Sequence, residues 1–347
     1  MTPAKASARA SVSIVIPCRN ESEYIDAFLQ SVVAQENLPS DAEILIADGR
    51  SDDDTRDRVG AWTAHDARIQ LVDNPEQTTS FGLNRAIGAS TGAVIVRMDV
   101  HTAYASDYVR QCLATLASTR ADNVGGPART CATGYFQQAN RLAYHSPFSV
   151  GGARFHDEDY EGPVDTVVYG CWRREVFDRI GLFDTELVRN QDDEFNLRTV
   201  RAGGQLWQNP DIRSWYYPRA TARTLFAQYR QYGYWKVRVI QKHRLPASWR
   251  HLVPGSFVVG LVISLLASPF SAAARIIAGL LLVSYAGANL AASLWTCGRP
   301  GRFRYLPVIP LVFACYHFGY GIGFLRGVWD FVIRSRRSSE EFEGLTR

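Results

Sequence analysis

The chain has 347 residues, of which 46% are hydrophobic and 21% charged, and a formal net charge of +4. This length fits one large domain with additional segments, or two modest domains. The charge is too small, and the arginines are too scattered, for a protein that binds nucleic acid. Six cysteines without a Cys-x-x-Cys pair argue against a metal cluster or a disulfide framework.

The acidic residues divide the chain into two parts. Nearly all of them lie before residue 195, whereas residues 252–325 contain none. The N-terminal apolar run, residues 12–17, is too short for the core of a signal peptide, so we expect the polar part to stay in the cytosol. We predict four segments: an N-terminal tail over 1–10, a folded polar domain over 11–245, a membrane-associated helical region over 246–335 and a polar tail over 336–347.

Apolar runs alternate with helical patterns along the first hundred residues. Four short runs rich in β-branched residues predict strands at 13–17, 43–48, 69–72 and 93–98. Segments with helical spacing lie between them, at 23–34, from about residue 55, and at 80–89. This alternation predicts an α/β fold with a mostly parallel sheet covered on both faces, and ligands bind such sheets at the carboxyl ends of the strands.

Polar side chains follow three of the predicted strands. Asn20 and Glu21 follow the first, Asp48 ends the second, and Asp99 and His101 follow the fourth. Residues i and i+2 of a strand point to the same side, so Asp99 and His101 would both reach one metal ion. Such an ion would neutralise charge on a leaving diphosphate. The alternative is an aspartate that caps the next turn beside an incidental histidine.

The Asp-rich segment 48–55 predicts a turn between a strand and a helix. Gly49 would permit an unusual backbone angle, and Ser51 or Asp53 would cap the helix. Such a turn can hold a base or a ribose by hydrogen bonds, and a capped loop without a ligand explains the same residues.

A second acidic run, Gln191-Asp192-Asp193-Glu194, begins a predicted helix. A carboxylate here can act as a general base that takes the proton of an acceptor hydroxyl. An acidic helix N-terminus that complements the macrodipole explains the same spacing, and on spacing alone it is the favoured interpretation.

For two further groups of residues, the sequence allows more than one role. Arg173 and Arg174 would either clamp a phosphate or lie in solvent at the start of a helix. The aromatic and basic segment 228–236, which includes Gln228 and Trp235, would close over a diphosphate, present an acceptor or lie at a membrane interface.

Long uncharged segments occupy residues 252–274, 276–298 and 305–325. About 20 apolar residues suffice to span a bilayer, so the first two segments are predicted to cross it. The third contains His317 and several Gly and Tyr residues, and whether it spans, lies at the interface or re-enters stays open. Arginines beside these segments fit anionic headgroups and cytoplasmic loops.

The order of these motifs resembles the family 2 inverting glycosyltransferases with the GT-A fold, over residues 11–245. The motifs are residues 13–17 with Arg19-Asn20-Glu21, Asp48-Gly49-x-Ser51-x-Asp53-x-Thr55, Gly82-Leu83-Asn84, Arg97-Met98-Asp99-Val100-His101 and Asn190-Gln191-Asp192-Asp193-Glu194. Within that family the chain is similar to the bacterial exopolysaccharide enzymes of the succinoglycan type. Residues 151–155, 164–167, 190–194 and 232–236 and the apolar C-terminal region carry this narrower resemblance.

The resemblance implies transfer of a hexose, taken as glucose, from a UDP-sugar to a lipid-linked saccharide at the cytoplasmic face of the inner membrane. It implies Asp192 as the catalytic base, and Mg²⁺ or Mn²⁺ held by Asp99 and His101. The residues implied to bind the donor are Pro17, Asn20, Glu21, Asp48, Asn84 and Asp99. The candidates for contact with phosphate or acceptor are Arg173, Arg174, Gln228 and Trp235.

Two positions depart from the family pattern. His101 replaces an acidic residue, and imidazole is a less natural ligand for Mg²⁺. Gln191 replaces a glutamate before the catalytic aspartate, which should lower the basicity of Asp192. The alternative function is a catalytically weak or inactive membrane scaffold in a polysaccharide assembly complex. A nicotinamide-dependent oxidoreductase or a nucleotidyltransferase is disfavoured, because no glycine-rich turn follows the first predicted strand.

Overall fold

The computed structural model describes residues 11–246, 248–335 and 338–344. Their contacts divide the chain into two compact units, each built from separate stretches of sequence. The first unit comprises residues 11–129, 157–186 and 191–216, and the second comprises 130–156, 187–190 and 217–344. The division therefore differs from the predicted single boundary at 245, because residues 130–156 and 217–245 pack with the C-terminal helices.

The elements follow in chain order. The strands are β1 (Val12–Cys18), β2 (Glu43–Asp48), β3 (Ile69–Asp73), β4 (Val94–Arg97), β5 (Thr102–Tyr104), β6 (Asn123–Gly125), β7 (Arg129–Thr130), β8 (Gly162–Val164), β9 (Cys171–Arg173), β10 (Leu206–Gln208) and β11 (Ser214–Tyr216). The α-helices are α1 (Ile25–Val33), α2 (Thr55–His65), α3 (Thr79–Ala89), α4 (Tyr108–Ser118), α5 (Tyr135–Tyr144), α6 (Pro147–Val150), α7 (Arg174–Ile180), α8 (Gln191–Arg201), α9 (Ala222–His243), α10 (Val253–Ala267), α11 (Ala272–Cys297) and α12 (Ile309–Gly327).

The main sheet of the first unit has the strand order β3-β2-β1-β4-β9-β6-β10-β8. Strands β1 to β4 run parallel, whereas β9 is antiparallel to both β4 and β6, and β8 is antiparallel to β10. The prediction of a mostly parallel sheet is confirmed for its first half. Because β1 lies between β2 and β4, the residues that follow these three strands share one edge of the sheet.

Both faces of this sheet are covered, as the continuous apolar runs predict. Val12, Ile14 and Ile16 of β1 belong to one core, with buried residues of α1, α2 and α4. Val15 belongs to the opposite core, with buried residues of α3, α7 and α8. Alternate residues of one strand therefore face two cores, which is why the strand has no polar face.

Glycines bring α9 and α12 of the second unit into backbone contact. Gly319, Gly323 and Gly327 recur every four residues along α12. A Cβ atom at Gly323 would lie 1.9 Å from the carbonyl oxygen of Arg230, and one at Gly327 would lie 2.7 Å from that of Tyr234. Only residues without a side chain allow this approach. The third apolar segment of the sequence is therefore a helix packed closely on α9.

Two helices among the described residues are long and apolar enough to span a membrane, Trp249–Ala267 and Ala272–Cys297. Large apolar side chains along them are exposed, such as Leu266 at 71% and Val283 at 72%. Exposed apolar surface of this extent is expected of segments that contact lipid. These two segments are the ones predicted to cross the membrane.

The C-terminal residues 338–344 pack on α9. The ring of Phe342 stacks on Tyr234, with ring centroids 3.8 Å apart. The indole N–H of Trp235 donates to the Phe342 carbonyl at 3.1 Å. The prediction of a polar tail over 336–347 is wrong for this part, because Phe342 is a buried side chain of the second unit. Residues 336–337 and 345–347 lie outside the described residues.

Candidate active site

Hydrogen bonds join the loops that follow β1 and β2. The hydroxyl of Ser51 donates to the Asp48 carboxylate and accepts the backbone N–H of Asn20 at 2.8 Å. The side-chain oxygen of Asn20 accepts the N–H of Asp52 at 3.0 Å. The two loops therefore form one hydrogen-bonded surface at the carboxyl edge of the sheet.

The unusual backbone angles of these loops occur at Asn20 and Arg50, with φ of 53° and 50°. We predicted an unusual backbone angle at Gly49, and this prediction is wrong. A Cβ atom at Gly49 would lie 3.2 Å from Cδ of Arg19 and 3.3 Å from Cα of Gln77, so a larger residue would displace these neighbours slightly. Asparagine tolerates a left-handed angle better than most residues, which suits Asn20 to its turn.

Asp53 stabilises the start of α2 and connects it to the β1 loop. Its carboxylate accepts the backbone N–H of Thr55 at 3.0 Å and that of Ser22 at 3.2 Å. The hydroxyl of Thr55 accepts the N–H of Glu21 at 2.7 Å. Burial by itself would raise the pKa of Asp53, but the hydrogen bonds from Thr55 and Ser22 outweigh it and lower the pKa to about 2.

Asp48 is fully buried beneath these loops. Arg56 lies 2.8 Å from its carboxylate and 3.1 Å from that of Asp73, so a cation balances the buried charge. Asp48 thereby holds the loops in shape. The contacts with a donor predicted for Pro17, Asn20, Glu21 and Asp48 stay predictions.

Glu21 and His101 form a pair across two neighbouring strand ends. Nε2 of His101 lies 2.8 Å from Oε2 of Glu21, and the imidazole packs edge-on against Tyr24. Strand β4 ends at Arg97, so Asp99 and His101 lie in a turn. The expectation that both point to one side of a strand is therefore wrong, and His101 reaches Glu21 instead.

Arg97 connects the carboxylates of Asp99 and Asp192. Its Nε and Nη2 donate to the two oxygens of Asp99 at 2.8 and 2.9 Å, and its Nη1 donates to Oδ1 of Asp192. Only 4% of the Arg97 side chain is exposed. Burial would lower the pKa of its guanidinium, but the charges of Asp192 and Asp99 outweigh burial and raise the pKa, so the group stays charged.

Asp192 is the second residue of α8 and has 38% of its side chain exposed. Desolvation by the surrounding protein raises the pKa of its carboxyl, although water still reaches part of it. Arg97 acts in the opposite direction, whereas the charges of Asp99 and Asp193 add to the rise. A carboxylate with a raised pKa and an accessible oxygen is suited to accept a proton.

Another acidic residue in the first turn of α8, Glu194, has different surroundings. Glu194 is buried and forms two hydrogen bonds with Arg198, at 2.7 and 2.9 Å. The carboxylate of Glu194 therefore stabilises its own helix. Of this acidic run, Asp192 is the residue that faces Arg97 and Asp99.

The donor set at this edge fits a divalent cation that arrives with its substrate. Within residues 11–246, 248–335 and 338–344, no three His, Cys, Asp or Glu side chains are grouped to hold a metal by themselves. Mg²⁺ usually binds through one or two carboxylates together with substrate phosphates and water. The half-buried carboxylate of Asp99 meets that requirement, and the role of His101 as a metal ligand stays a prediction.

Three residues predicted to contact the donor or a phosphate have structural partners instead. The amide of Asn84 pairs with the backbone of Phe183 through two hydrogen bonds, at 2.8 and 2.9 Å. Arg173 donates to the carbonyl of Leu116, and Arg174 to that of Gly92. Both arginines lie beside the amino end of β4, opposite to Asp99. Both side chains have partners within the protein, and their role at a phosphate stays a prediction.

The candidates for acceptor contact on α9 are packed inside the second unit. Trp235 is 2% exposed, and its indole N–H is already bonded to the Phe342 carbonyl. Gln228 is also buried, and its amide donates to the hydroxyl of Tyr232 at 3.3 Å. The prediction that these two side chains contact an acceptor stays a prediction.

Arg97 is the residue of this site for which no role was predicted from the sequence. It occurs in a motif quoted above, but only as a neighbour of Asp99. An arginine that ends a buried apolar strand, Val94-Ile-Val-Arg97, is a signal that could have revealed it, because a buried charge requires a partner.

The model of glycosyl transferase family 2 matches residues 13–181. The succinoglycan biosynthesis protein ExoA of Rhizobium meliloti is 30% identical to this chain, over 92% of the chain and 95% of that protein. The chain belongs to glycosyl transferase family 2. The prediction of a glycosyltransferase, and its narrower resemblance to succinoglycan-type enzymes, is confirmed.

A second relative and a solved structure are also similar to this glycosyltransferase. The dolichyl N-acetyl-alpha-D-glucosaminyl phosphate 3-beta-D-2,3-diacetamido-2,3-dideoxy-beta-D-glucuronosyltransferase of Methanococcus voltae is 27% identical over 91% of this chain and 97% of that enzyme. The structure of the mannosyltransferase PcManGT from Pyrobaculum calidifontis, in complex with GDP-Man and Mn²⁺, matches with a TM-score of 0.59, over 92% of this chain and 88% of that one. At 17% identity this match concerns the fold alone. The predicted GT-A type of α/β fold is confirmed, and the enzyme acts in polysaccharide or glycan biosynthesis.

Proposed function

We propose that this glycosyltransferase moves a hexose, which we take to be glucose, from a UDP-sugar to a lipid-linked saccharide in exopolysaccharide synthesis. The transfer inverts the anomeric carbon in one displacement. The acceptor oxygen bonds to the anomeric carbon, the bond from that carbon to the diphosphate oxygen breaks, and UDP leaves. Asp192 takes the proton of the acceptor hydroxyl.

The observation that carries the proposal is the Asp99–Arg97–Asp192 bridge at the carboxyl edge of β4. It joins a carboxylate suited to a phosphate-bound cation to a carboxylate suited to act as a base. An inverting displacement needs both functions within reach of one anomeric carbon.

The loops after β1 and β2 are the proposed site of the uridine and ribose. Their hydrogen bonds fix the surface before a ligand arrives, which lowers the entropy lost on binding. A divalent cation held by Asp99 would neutralise charge on the leaving diphosphate. PcManGT binds a nucleotide sugar together with Mn²⁺, which supports Mg²⁺ or Mn²⁺ as the cofactor.

The proposed acceptor follows from the apolar helices. Two candidate spans would hold the enzyme at the bilayer, where a lipid-linked saccharide is also confined. The name of the Methanococcus voltae relative includes a dolichyl-linked sugar phosphate, which supports an acceptor of this class. Arg244 precedes the first span and Arg250 lies at its start. Positive residues favour the cytoplasmic side, so we propose the inner membrane with the first unit in the cytoplasm.

The test compares Asp192→Asn with Asp193→Asn in membranes that contain the full chain. Labelled nucleotide sugars are added with and without a chelator, and label is counted in the lipid fraction. We expect transfer from UDP-glucose that the chelator abolishes. Asp192→Asn should lower it by about 10²–10⁴-fold, the usual contribution of a general base, while UDP binding persists.

Asp193→Asn makes the same change one residue away and should stay within a few-fold of the wild type. Wild-type activity in Asp192→Asn would show that Asp192 is not the general base. Label that enters only a water-soluble product would disprove the lipid-linked acceptor. A wild-type chain that transfers no sugar from any donor would favour the inactive scaffold.

A further inference from the structure

The backbone around Arg97 is fixed on both sides. Arg97 ends β4 in register with Val15 of β1, and its N–H donates to the carbonyl of Gly170 at 3.1 Å. The neighbouring side chains of Val96 and Met98 are fully buried. The guanidinium therefore extends from a rigid part of the sheet, which leaves it little freedom to move.

The two carboxylates that meet Arg97 are held to different degrees. Asp99 is fixed twice, because Arg97 contacts both of its oxygens and its backbone N–H donates to the hydroxyl of Tyr104 at 2.7 Å. For Asp192, the one hydrogen-bond partner within the described part of the chain is Arg97, which contacts Oδ1. Its Oδ2 is left for another partner.

We propose that Arg97 is a positioning residue for sugar transfer. It fixes the position of the Asp192 carboxylate relative to that of Asp99. Oδ2 of Asp192 then faces the acceptor hydroxyl, while Asp99 holds the cation on the donor diphosphate. This inference rests on the proposed function, because it assigns Asp192 as the base.

The shape of the guanidinium is what the role requires. Arginine presents five donors in a rigid plane and can grip one carboxylate with two of them while a third reaches another. Lysine carries the same charge on a flexible stem and cannot hold both carboxylates in one geometry. A misplacement of about 1 Å in a reacting group can cost about 100-fold in rate, so the bridge has a measurable effect.

The alternative is that Arg97 only balances two acidic side chains and thereby stabilises the fold. The variant Arg97→Lys separates the two roles, because it keeps the charge. The matched control is Arg68→Lys. Arg68 also binds an aspartate two residues away with two donors, Asp66 at 2.6 to 3.1 Å, but it precedes β3, at the edge of the sheet opposite to the site.

The experiment measures kcat, KM, calorimetric binding of UDP with Mn²⁺ and the melting temperature, all on the full chain in detergent. For Arg97→Lys we expect kcat to fall by about 100-fold, while the Kd for UDP changes by less than roughly threefold and the melting temperature by a few degrees at most. Arg68→Lys should match the wild type in every measurement. Wild-type kcat in Arg97→Lys, or a loss of kcat that only parallels a loss of folded protein, would overturn the proposal.

A second variant leaves the buried arginine untouched, in case Arg97→Lys does not fold. Asp192→Glu keeps the carboxylate at a partly exposed position but moves it by one methylene. We expect kcat to fall by about 100-fold here also, with UDP binding retained. Wild-type kcat in Asp192→Glu would show that a fixed geometry is not needed and would refute the role of Arg97. If Asp192→Asn is itself active, the proposed function fails; if it is inactive while Arg97→Lys and Asp192→Glu are active, only this inference fails.

Discussion

The acidic side chains at the carboxyl edge of the main sheet have neighbours that balance or share their charge. Asp48 meets Arg56, and Asp99 and Asp192 share Arg97. Buried carboxylates without such partners would be strongly destabilising. Asp48 is fully buried, whereas Asp99 and Asp192 are both partly exposed, with 30% and 38% of their side chains open to solvent.

The raised pKa of Asp192 predicts the acid limb of the rate profile. A base must be ionised, so kcat/KM should fall as the pH drops through the pKa of Asp192, at a pH above the ordinary aspartate value of about 3.9. Asp193→Asn removes a charge that contributes to the rise, so its acid limb should lie at a lower pH. The measurement is kcat/KM against pH for both enzymes at constant ionic strength.

The raised pKa of Asp192 also makes the stability of the fold depend on pH. The protonated form of Asp192 contributes stability at low pH, and this is lost as the pH rises through the raised pKa.

For the rate profile, an acid limb of the wild type at or below the ordinary aspartate pKa, or one that Asp193→Asn moves to higher pH, would contradict the assignment of Asp192 as the base.

At the scale of elements, backbone contact between α9 and α12 organises the second unit. Gly233 of α9 would carry a Cβ atom 2.0 Å from the carbonyl oxygen of Tyr320, and Gly323 of α12 is equally close to Arg230. Helices that approach this closely gain packing and weak hydrogen bonds along the whole crossing. Glycine is required at these positions even though it lowers helix propensity.

Gly323→Ala and Gly279→Ala should have opposite effects. Alanine favours a helix over glycine by about 1 kcal/mol, so Gly279→Ala, in open space on α11, should be neutral or stabilising by up to that amount. At Gly323 the new methyl group meets a carbonyl oxygen and forces the helices apart, which should cost about 1–3 kcal/mol. The melting temperatures of both variants in one detergent test this, and equal shifts would show that the close crossing does not form.

At the scale of the whole molecule, the two units do not follow the order of the sequence. The second unit takes residues 130–156 and 187–190 from between stretches of the first. Its helices α5 and α9 pack with α12, which belongs to the C-terminal region. The apolar region is therefore not an anchor that can be detached from a complete soluble enzyme.

Truncation after residue 245 tests this organisation. It removes α12 and Phe342, which would expose Tyr234 and Trp235, now buried on α9. We expect the truncated chain to aggregate or to show rapid proteolysis within α9, while the full chain in detergent elutes as a single species. A truncated chain that is monodisperse, resists protease and binds UDP would contradict the division into these units.

The first four strands of the main sheet, and the edge where the site lies, could be predicted from the sequence. Strand β2 has the predicted bounds, and β1, β3 and β4 differ from the prediction by one or two residues. These features are local, because a short apolar run closed by a polar turn specifies both the strand and the side chains at its end. Asp48 and Asp99 were identified for the same reason, whereas Asp192 begins a helix and was assigned through the resemblance to the family.

The contacts of each polar group became known from the folded chain. Arg97 meets Asp192, which is 95 residues away, and Trp235 is buried by Phe342, which is 107 residues away. The partners of Arg173 and Arg174 include backbone carbonyls of distant segments, which the sequence could not reveal. A side chain's charge and spacing limit what it can bind, but the partner depends on which distant segments the folded chain brings beside it.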